Sequence, residues 1–389
     1  MTRKLFIWGS GGSGQLGLGN DEDYALPQEW TPRQEILLDT MTTGGCHTAA
    51  RDSESRLYMW GDNEKLQLSV NAGVKSVVGP MQLPLSQITL VACGWSHSVA
   101  VAQKKASQED ADGATIEDDE QELLTWGAHH HNQLGRSSSP HHPGHVVIDG
   151  GLTRGRHVVS ISCGWKHSMV VLADGSLHSW GTGRHGELGL GKEQLVAPHP
   201  TKINMVEPCD RVYCGWQHTI VHNTRTGGVY ACGNNRHGQL GVPTTQETAR
   251  YQFQRVEISS DTALHVRQVD VGWHYAVCLA SDGRLYAWGK GTHGQLGLGA
   301  YETMQMPTAL PFEGRVQALA CGSEHTLVVT EDGGLYTCGW GEHGNLGHND
   351  KENRSLLTRV AFFDDNQQKV ESIVAGGAVS IAVARSVAE

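Results

Sequence analysis

The sequence predicts an all-β fold, a seven-bladed β-propeller of four-stranded blades with one blade closed by the N- and C-terminal strands together. Three observations predict it. A Trp-Gly or Cys-Gly step followed by a Gln-Leu-like step recurs seven times along the 389 residues. A Cys-Gly-Trp-x-His element recurs out of phase with it. Short apolar stretches joined by Asp-Gly turns fill the intervals, and no helical period persists over several turns.

The lead positions are Trp8, Trp60, Trp126, Trp180, Cys232, Trp288 and Cys338. Their spacings are 52, 66, 54, 52, 56 and 50, and the long interval contains an acidic stretch at 103–122. The second element reads Cys93-Gly94-Trp95-Ser96-His97, Cys163-Gly164-Trp165-Lys166-His167, Cys214-Gly215-Trp216-Gln217-His218 and Cys321-Gly322-Ser323-Glu324-His325. Weaker copies lie at Gly44 to His47, Gly272 to Tyr275 and Gly376 to Val379. Ser168 to Leu172, Asp174-Gly175 and Leu177 to Trp180 read as strand, turn and strand. A period near 50 with about four strands is a propeller blade. The chain opens on a Trp-Gly strand, Leu5 to Trp8, and ends on Val370 to Ala375 and Ser380 to Ala384, the strands that should precede one. The two ends are therefore expected to share a blade, which removes exposed edges.

In each repeat the lead Trp or Cys is expected between neighbouring blades, with repacking where Cys232 and Cys338 replace tryptophan. The recurrent His47, His97, His167, His218 and His325 are expected to be structural and hydrogen-bonded, since each occupies an equivalent setting in a different blade. The cysteines in register read as small buried side chains. Nine cysteines without a Cys-x-x-Cys pair fit free thiols in a reducing compartment. A cytoplasmic location, with the nucleus as a second one, is expected.

Composition narrows the function. Net charge is −11, of which residues 103–122 hold −6, and that stretch is expected to be a disordered insertion within the second blade of a single domain spanning 1–389. No basic run could neutralise many phosphates, so direct DNA binding is not expected. No apolar run is long enough to span a membrane, and the first residues, Met1 to Trp8, do not read as a secretory leader. No nucleophile elbow, Walker loop or zinc spacing is present, so no catalytic residue, cofactor or metal is expected. His129, His130, His131, His141, His142 and His145 read as an exposed polar loop. The informative residues are aromatic. Trp95, Trp165, Trp216 and Trp273 hold one repeat position in four successive blades, which ring geometry brings to one face near the channel. Such a face suits a protein partner, because tryptophan is enriched at binding hot spots.

Together, Cys-Gly-Trp-x-His, Asp-Gly-x-Leu-x-x-Trp-Gly and Gly-Gln-Leu-Gly-Leu-Gly resemble the regulator of chromosome condensation (RCC) repeat over nearly the whole chain outside 103–122. That resemblance implies a seven-bladed propeller. Three branches can be compared. The chromatin-bound exchange factor for the Ran GTPase carries a basic tail, and here only Arg3 and Lys4 precede the first strand. The plant UV-B receptor places arginine after its face tryptophans, where this chain has Ser96, Lys166, Gln217 and His274. Without those cations, sensing by coupled indoles and salt-bridge rupture loses its chemistry. The third branch joins the animal secretion-regulating exchange-factor-like protein and the fungal alpha-tubulin suppressor. The stretches Gly14 to Gln28, Lys290 to His293 and Cys338 to Asn345 resemble it most. That likeness implies a non-enzymatic scaffold for a small zinc-binding, electron-carrying protein in diphthamide synthesis and Elongator-dependent wobble-uridine modification. Trp340, Glu342 and His343 would then join the tryptophan face as partner-binding residues. Exchange activity toward a small GTPase is the alternative.

Overall fold

In the computed structural model, residues 3–31, 38–104, 120–136, 146–148, 151–205, 207–261 and 263–387 are described. Seven four-stranded antiparallel sheets form the ring. We number the blades from the first whose strands run consecutively. Blade 1 comprises Leu38–Thr43, His47–Asp52, Leu57–Asp62 and Ser76–Gln82, and blade 2 comprises Ile88–Cys93, His97–Gln103, Gln121–Gly127 and Val146–Val147. Blades 3 to 6 cover 158–203, 211–255, 266–309 and 316–359 in the same order. Blade 7 is the composite: Gln368–Gly376 and Val379–Ser386 pair with Arg3–Gly9 and Tyr24–Glu29. Its register runs unbroken from Arg3 opposite Arg385 to Gly9 opposite Val379. The joint closure expected from the terminal sequences is therefore what the fold adopts.

Alternation within each strand does the packing. His167–Leu172 and Tyr275–Ala280 are buried at every position, as befits strands covered on both sides by neighbouring blades. Outer strands such as Val196–Ile203 and Met304–Ala309 are half exposed. Apolar clusters then fill each interface. One such cluster sets Val99 and Val101 of blade 2 against Val170, Leu172 and Trp180 of blade 3. A single turn of helix, Ala361–Asp365, is absent from the sequence reading, being too short to carry a period. It buries Phe363 against Phe6 and Trp8, with the Phe6 ring 5.4 Å away, and so seals the composite blade.

The second and third strands of blade 2 run on to Lys104 and from Glu120, with the Lys104 amide 2.8 Å from the Glu120 carbonyl. The acidic stretch is thus inserted in this hairpin, and 105–119 lie outside the described residues. Trp95 precedes the same strand at its other end. At about 3.3 Å per residue the strand His97–Gln103 sets its two ends roughly 20 Å apart, so Trp95 and Lys104 lie at opposite ends of the blade.

Candidate functional site at the tryptophan face

The site rests on a clamp that each blade makes to its predecessor. The Trp60 indole Nε1 donates to the Gln15 carbonyl at 2.9 Å, Trp126 to Gln67 at 2.8 Å, Trp180 to Gln133 at 2.8 Å and Trp288 to Gln239 at 3.0 Å. Trp8 closes the ring by donating to Asn345 at 2.9 Å. Cys232 and Cys338 direct their thiols to the matching carbonyls of Glu187 and Gln295 at 3.6 and 3.7 Å. Where the indole is missing, Phe253 packs beside Cys232, and Leu310 with Leu357 beside Cys338, which is the repacking the sequence demands.

A hydroxyl one residue after the recurrent histidine, or after Val379 in the composite blade, donates to the same carbonyl. Thr48, Ser98, Ser168, Thr219, Thr326 and Ser380 do so at 2.7–3.0 Å. Its hydrogen being committed, that oxygen can only accept, and it accepts from the histidine of the preceding blade. His47 meets Ser98 at 2.9 Å, His97 meets Ser168 at 2.8 Å, His167 meets Thr219 at 3.0 Å and His325 meets Ser380 at 3.0 Å. The geometry assigns the proton to Nε2 in each. Burial holds these imidazoles neutral, lowering His47 and His97 to about 3 and His167 and His325 to about 4. The glycine three residues before each histidine is required by the ring. A Cβ on Gly164 would sit 2.3 Å from His167 Cε1. The histidines are therefore structural, as expected.

Blade 5 breaks the pattern. Ala276 stands where six blades carry a hydroxyl, and Tyr275 replaces the histidine. The Tyr275 hydroxyl still meets the next blade's hydroxyl, Thr326 Oγ1, at 3.2 Å, and it also reaches the His325 and Gly322 carbonyls. His218 is left buried without a well-formed hydrogen bond at either nitrogen, beside only the Trp273 backbone.

Above the clamp lie the four tryptophans. Trp165 and Trp216 stack at 4.7 Å with 19° between planes. Trp95 meets Trp216 and Trp273 edge-on at 4.8 and 5.3 Å, and Trp216 lies 4.7 Å from Trp273. Gly45, Ser323 and Gly377 hold the same position in the other three blades. Four half-buried indoles thus lean into the space left by three small residues and cap the central channel. Behind them is a cavity of about 240 Å³ into which Asp270 faces. Burial raises the Asp270 carboxyl to about 6, although the Cys321 and Val271 amides both donate to it.

Trp340 stands apart from this cluster. It follows the third strand of blade 6, its amide bonds the Glu324 carbonyl at 2.8 Å, and its ring contacts His343 at 5.1 Å and His293 at 6.3 Å. His343 Nδ1 lies 2.8 Å from Asp23 Oδ2 of the composite blade, and Glu342 is exposed. The structure therefore places Trp340, Glu342 and His343 on the same end as the indoles but in the outer loops.

Sequence reasoning reads His131 as part of an exposed loop and His343 as a partner-binding candidate, and misses that the loop histidines form a series. His131, His185, His237, His293 and His343 occupy one repeat position in blades 2 to 6, two residues before the Gln, Glu or Asn of the Gln-Leu-like step. The period itself was the available signal. The first four of these backbone amides donate to the side chain two residues on, at 2.8 to 2.9 Å, as does Ser13 at 2.7 Å. That amide clamp explains why glutamine recurs there. One cation does accompany an indole, contrary to the sequence reading: Lys166 Nζ lies 3.6 Å from the Trp165 ring centre. Glu324 is 5% exposed and held by Lys290 at 2.7 Å and by Gln295.

All nine cysteines are free thiols. Burial pushes Cys93, Cys214 and Cys338 up to about 12, so none of these is a thiolate nucleophile at neutral pH. Among the described residues no cluster of three or more His, Cys, Asp or Glu is placed to hold a metal, and no helix is long and apolar enough to cross a membrane. His141, His142 and His145 lie outside the described residues.

Comparison with known proteins agrees with this architecture. The ultraviolet-B receptor UVR8 of Arabidopsis thaliana is 30% identical over 326 residues, covering 82% of this chain and 69% of that protein. The secretion-regulating guanine nucleotide exchange factor of Mus musculus is 28% identical over 358 residues, covering 83% and 71%. Among solved structures, yeast RCC1 (Prp20) bound to Kap60 superposes with a TM-score of 0.83 at 20% identity, covering 100% of this chain and 90% of that one. Human WBSCR16 gives 0.82 at 20% identity with complete coverage of both. Residues 4–382 match the RCC1-like domain, and the chain belongs to that family.

Proposed function

We propose that this protein is a non-enzymatic regulatory scaffold whose tryptophan face docks a protein partner. The observation that carries the reading is the cap of Trp95, Trp165, Trp216 and Trp273, kept half-buried on a rigid ring where a core would bury them fully. Large indoles fixed in this way lose little side-chain entropy on binding. The partner we favour is a small zinc-binding electron carrier that serves diphthamide synthesis and Elongator-dependent tRNA modification. The basis is the likeness of Trp340-Gly341-Glu342-His343-Gly344-Asn345 and Lys290 to His293 to the fungal branch. The cytoplasm, with the nucleus, is its proposed location.

A second reading, guanine nucleotide exchange, is favoured by the mouse relative named for that activity and by the fold shared with Prp20. Affinity isolation of the tagged protein from its own host separates the two. Recovery of a small zinc protein with Elongator or diphthamide enzymes supports the scaffold. Recovery of a GTPase whose nucleotide release this protein accelerates at micromolar concentration overturns it.

A further inference from the structure

One feature of the tryptophan face is not needed to dock an apolar partner. Between the loops of blades 2, 3 and 4 lies a cavity of about 270 Å³. The stacked Trp165 and Trp216 form one wall, and Lys166, Arg184, His131, His185, Gln217 and Glu187 are among the other lining residues. Neither Lys166 nor Arg184 has an acidic partner among the described residues, nor has Arg236 in the next loop. Both charges act on His131, whose basicity falls first through burial and then through Lys166, His130 and Arg184. The acid in the cavity wall, Glu187, is occupied by the His185 amide at 2.8 Å and its ring at 3.3 Å, and burial raises its carboxyl. A chain of net charge −11 thus sets two cations without an acidic partner at one concave spot, with the Lys166 ammonium resting over the Trp165 ring.

We propose that this cavity receives carboxylate side chains of an acidic polypeptide segment on the docking partner. Lys166 and Arg184 supply the charge, His131 and Gln217 supply hydrogen-bond donors, and the Trp165–Trp216 pair packs on the aliphatic stems of the acidic residues. Nucleic acid is a poorer occupant. Backbone binding needs many phosphate contacts, whereas here two or three cations sit on an otherwise acidic surface that repels a polyanion. The proposal rests on the tryptophan face being the docking face, and it adds the chemistry of what docks.

The test is titration of the full-length protein with a capped hexaglutamate peptide, followed by tryptophan fluorescence and calorimetry. A glycine-serine peptide and a single-stranded oligonucleotide of equal charge are the comparisons. The peptide should bind, weakening with salt, and Lys166→Glu/Arg184→Glu should reduce affinity by at least about tenfold. Lys166→Gln should give a smaller loss, and Arg255→Glu on the outer strand of blade 4 none. Circular dichroism confirms that each variant is folded. Binding no tighter than the glycine-serine control, or unchanged by the double reversal, overturns the proposal. Tighter binding of the oligonucleotide overturns it in favour of nucleic acid. Partner binding that needs Trp216 and Trp273 but tolerates the double reversal removes this inference alone. Partner binding that needs neither tryptophan removes the docking face itself.

Discussion

Blade 5 offers a way to complete the clamp by one atom. Ala276→Ser places a hydroxyl where six other blades have one, between His218 Nε2 and the Gln239 carbonyl that already accepts from Trp288. The other six sites show that the backbone accommodates this geometry, with donor–acceptor distances of 2.7–3.0 Å to the carbonyl. An unpaired buried polar group costs about 1–3 kcal/mol, and a well-made hydrogen bond contributes about 1 kcal/mol net. Burying the new hydroxyl costs about 1–3 kcal/mol without partners, and here it gains two. The balance is a stabilisation of about 1 kcal/mol. Thr219→Ala is the converse: it orphans His167 and removes a bond to Glu187, a loss of about 2 kcal/mol. With an unfolding entropy of about 0.8 kcal/mol/K at this chain length, 1 kcal/mol moves Tm by only about 1 °C. Urea unfolding at unchanged slope is therefore the better assay. A lower midpoint for Ala276→Ser would refute the claim that the relay of histidine, hydroxyl and carbonyl holds the blades together.

Acid should unfold the ring steeply. His47, His97, His167, His218 and His325 titrate at about 3 to 4 when folded, against about 6.5 in an open chain. The unfolded state binds more protons in that window, so stability is intact above pH ~6.5 and falls as pH drops toward 3, by up to about 1.4 kcal/mol per pH unit per histidine. Asp270, raised to about 6, acts in the opposite sense but is one group against five. Proton uptake of several equivalents on unfolding at pH 5 checks this, and uptake of none contradicts it. Gly164→Ala should cost about 2–3 kcal/mol, because the new methyl would meet His167 and the Gly215 carbonyl, 2.3 and 2.7 Å from its carbon. Excising 105–119 and joining Lys104 to Glu120 through a short turn should leave Tm within about 1 °C, since the hairpin is already paired through Gln103 and Gln121. A larger drop would show that the inserted residues pack on the propeller.

Period made the fold legible. Each repeat carried its own strand and turn signals, and the terminal half-repeats implied the composite blade before any coordinates. The four indoles were legible for the same reason: they share one repeat position. Less was legible where a residue's meaning depends on the neighbouring blade. Nothing in Ala276 alone says that it deprives His218 of a partner some 58 positions earlier in sequence. The cations at Lys166 and Arg184 lie in different motifs of blade 3 that its own strand pairing brings together, and only the ring adds His131 of blade 2 and Trp216 of blade 4 to complete the cavity. The resemblance joins Trp340 to the tryptophan face, but it follows the third strand of its blade where the face tryptophans follow the first, and that register sets it in the outer loops beside His343.

The central claim is that the indole cap is the docking surface. Its most direct test is titration of the partner recovered from the host against wild-type protein and a folded Trp216→Ala/Trp273→Ala variant. Both rings lie in the middle of the cap, each contacting at least two other aromatic side chains. The account predicts a loss of affinity of at least about a hundredfold, the effect of removing two central aromatic anchors. An unchanged affinity in the folded double variant would contradict it.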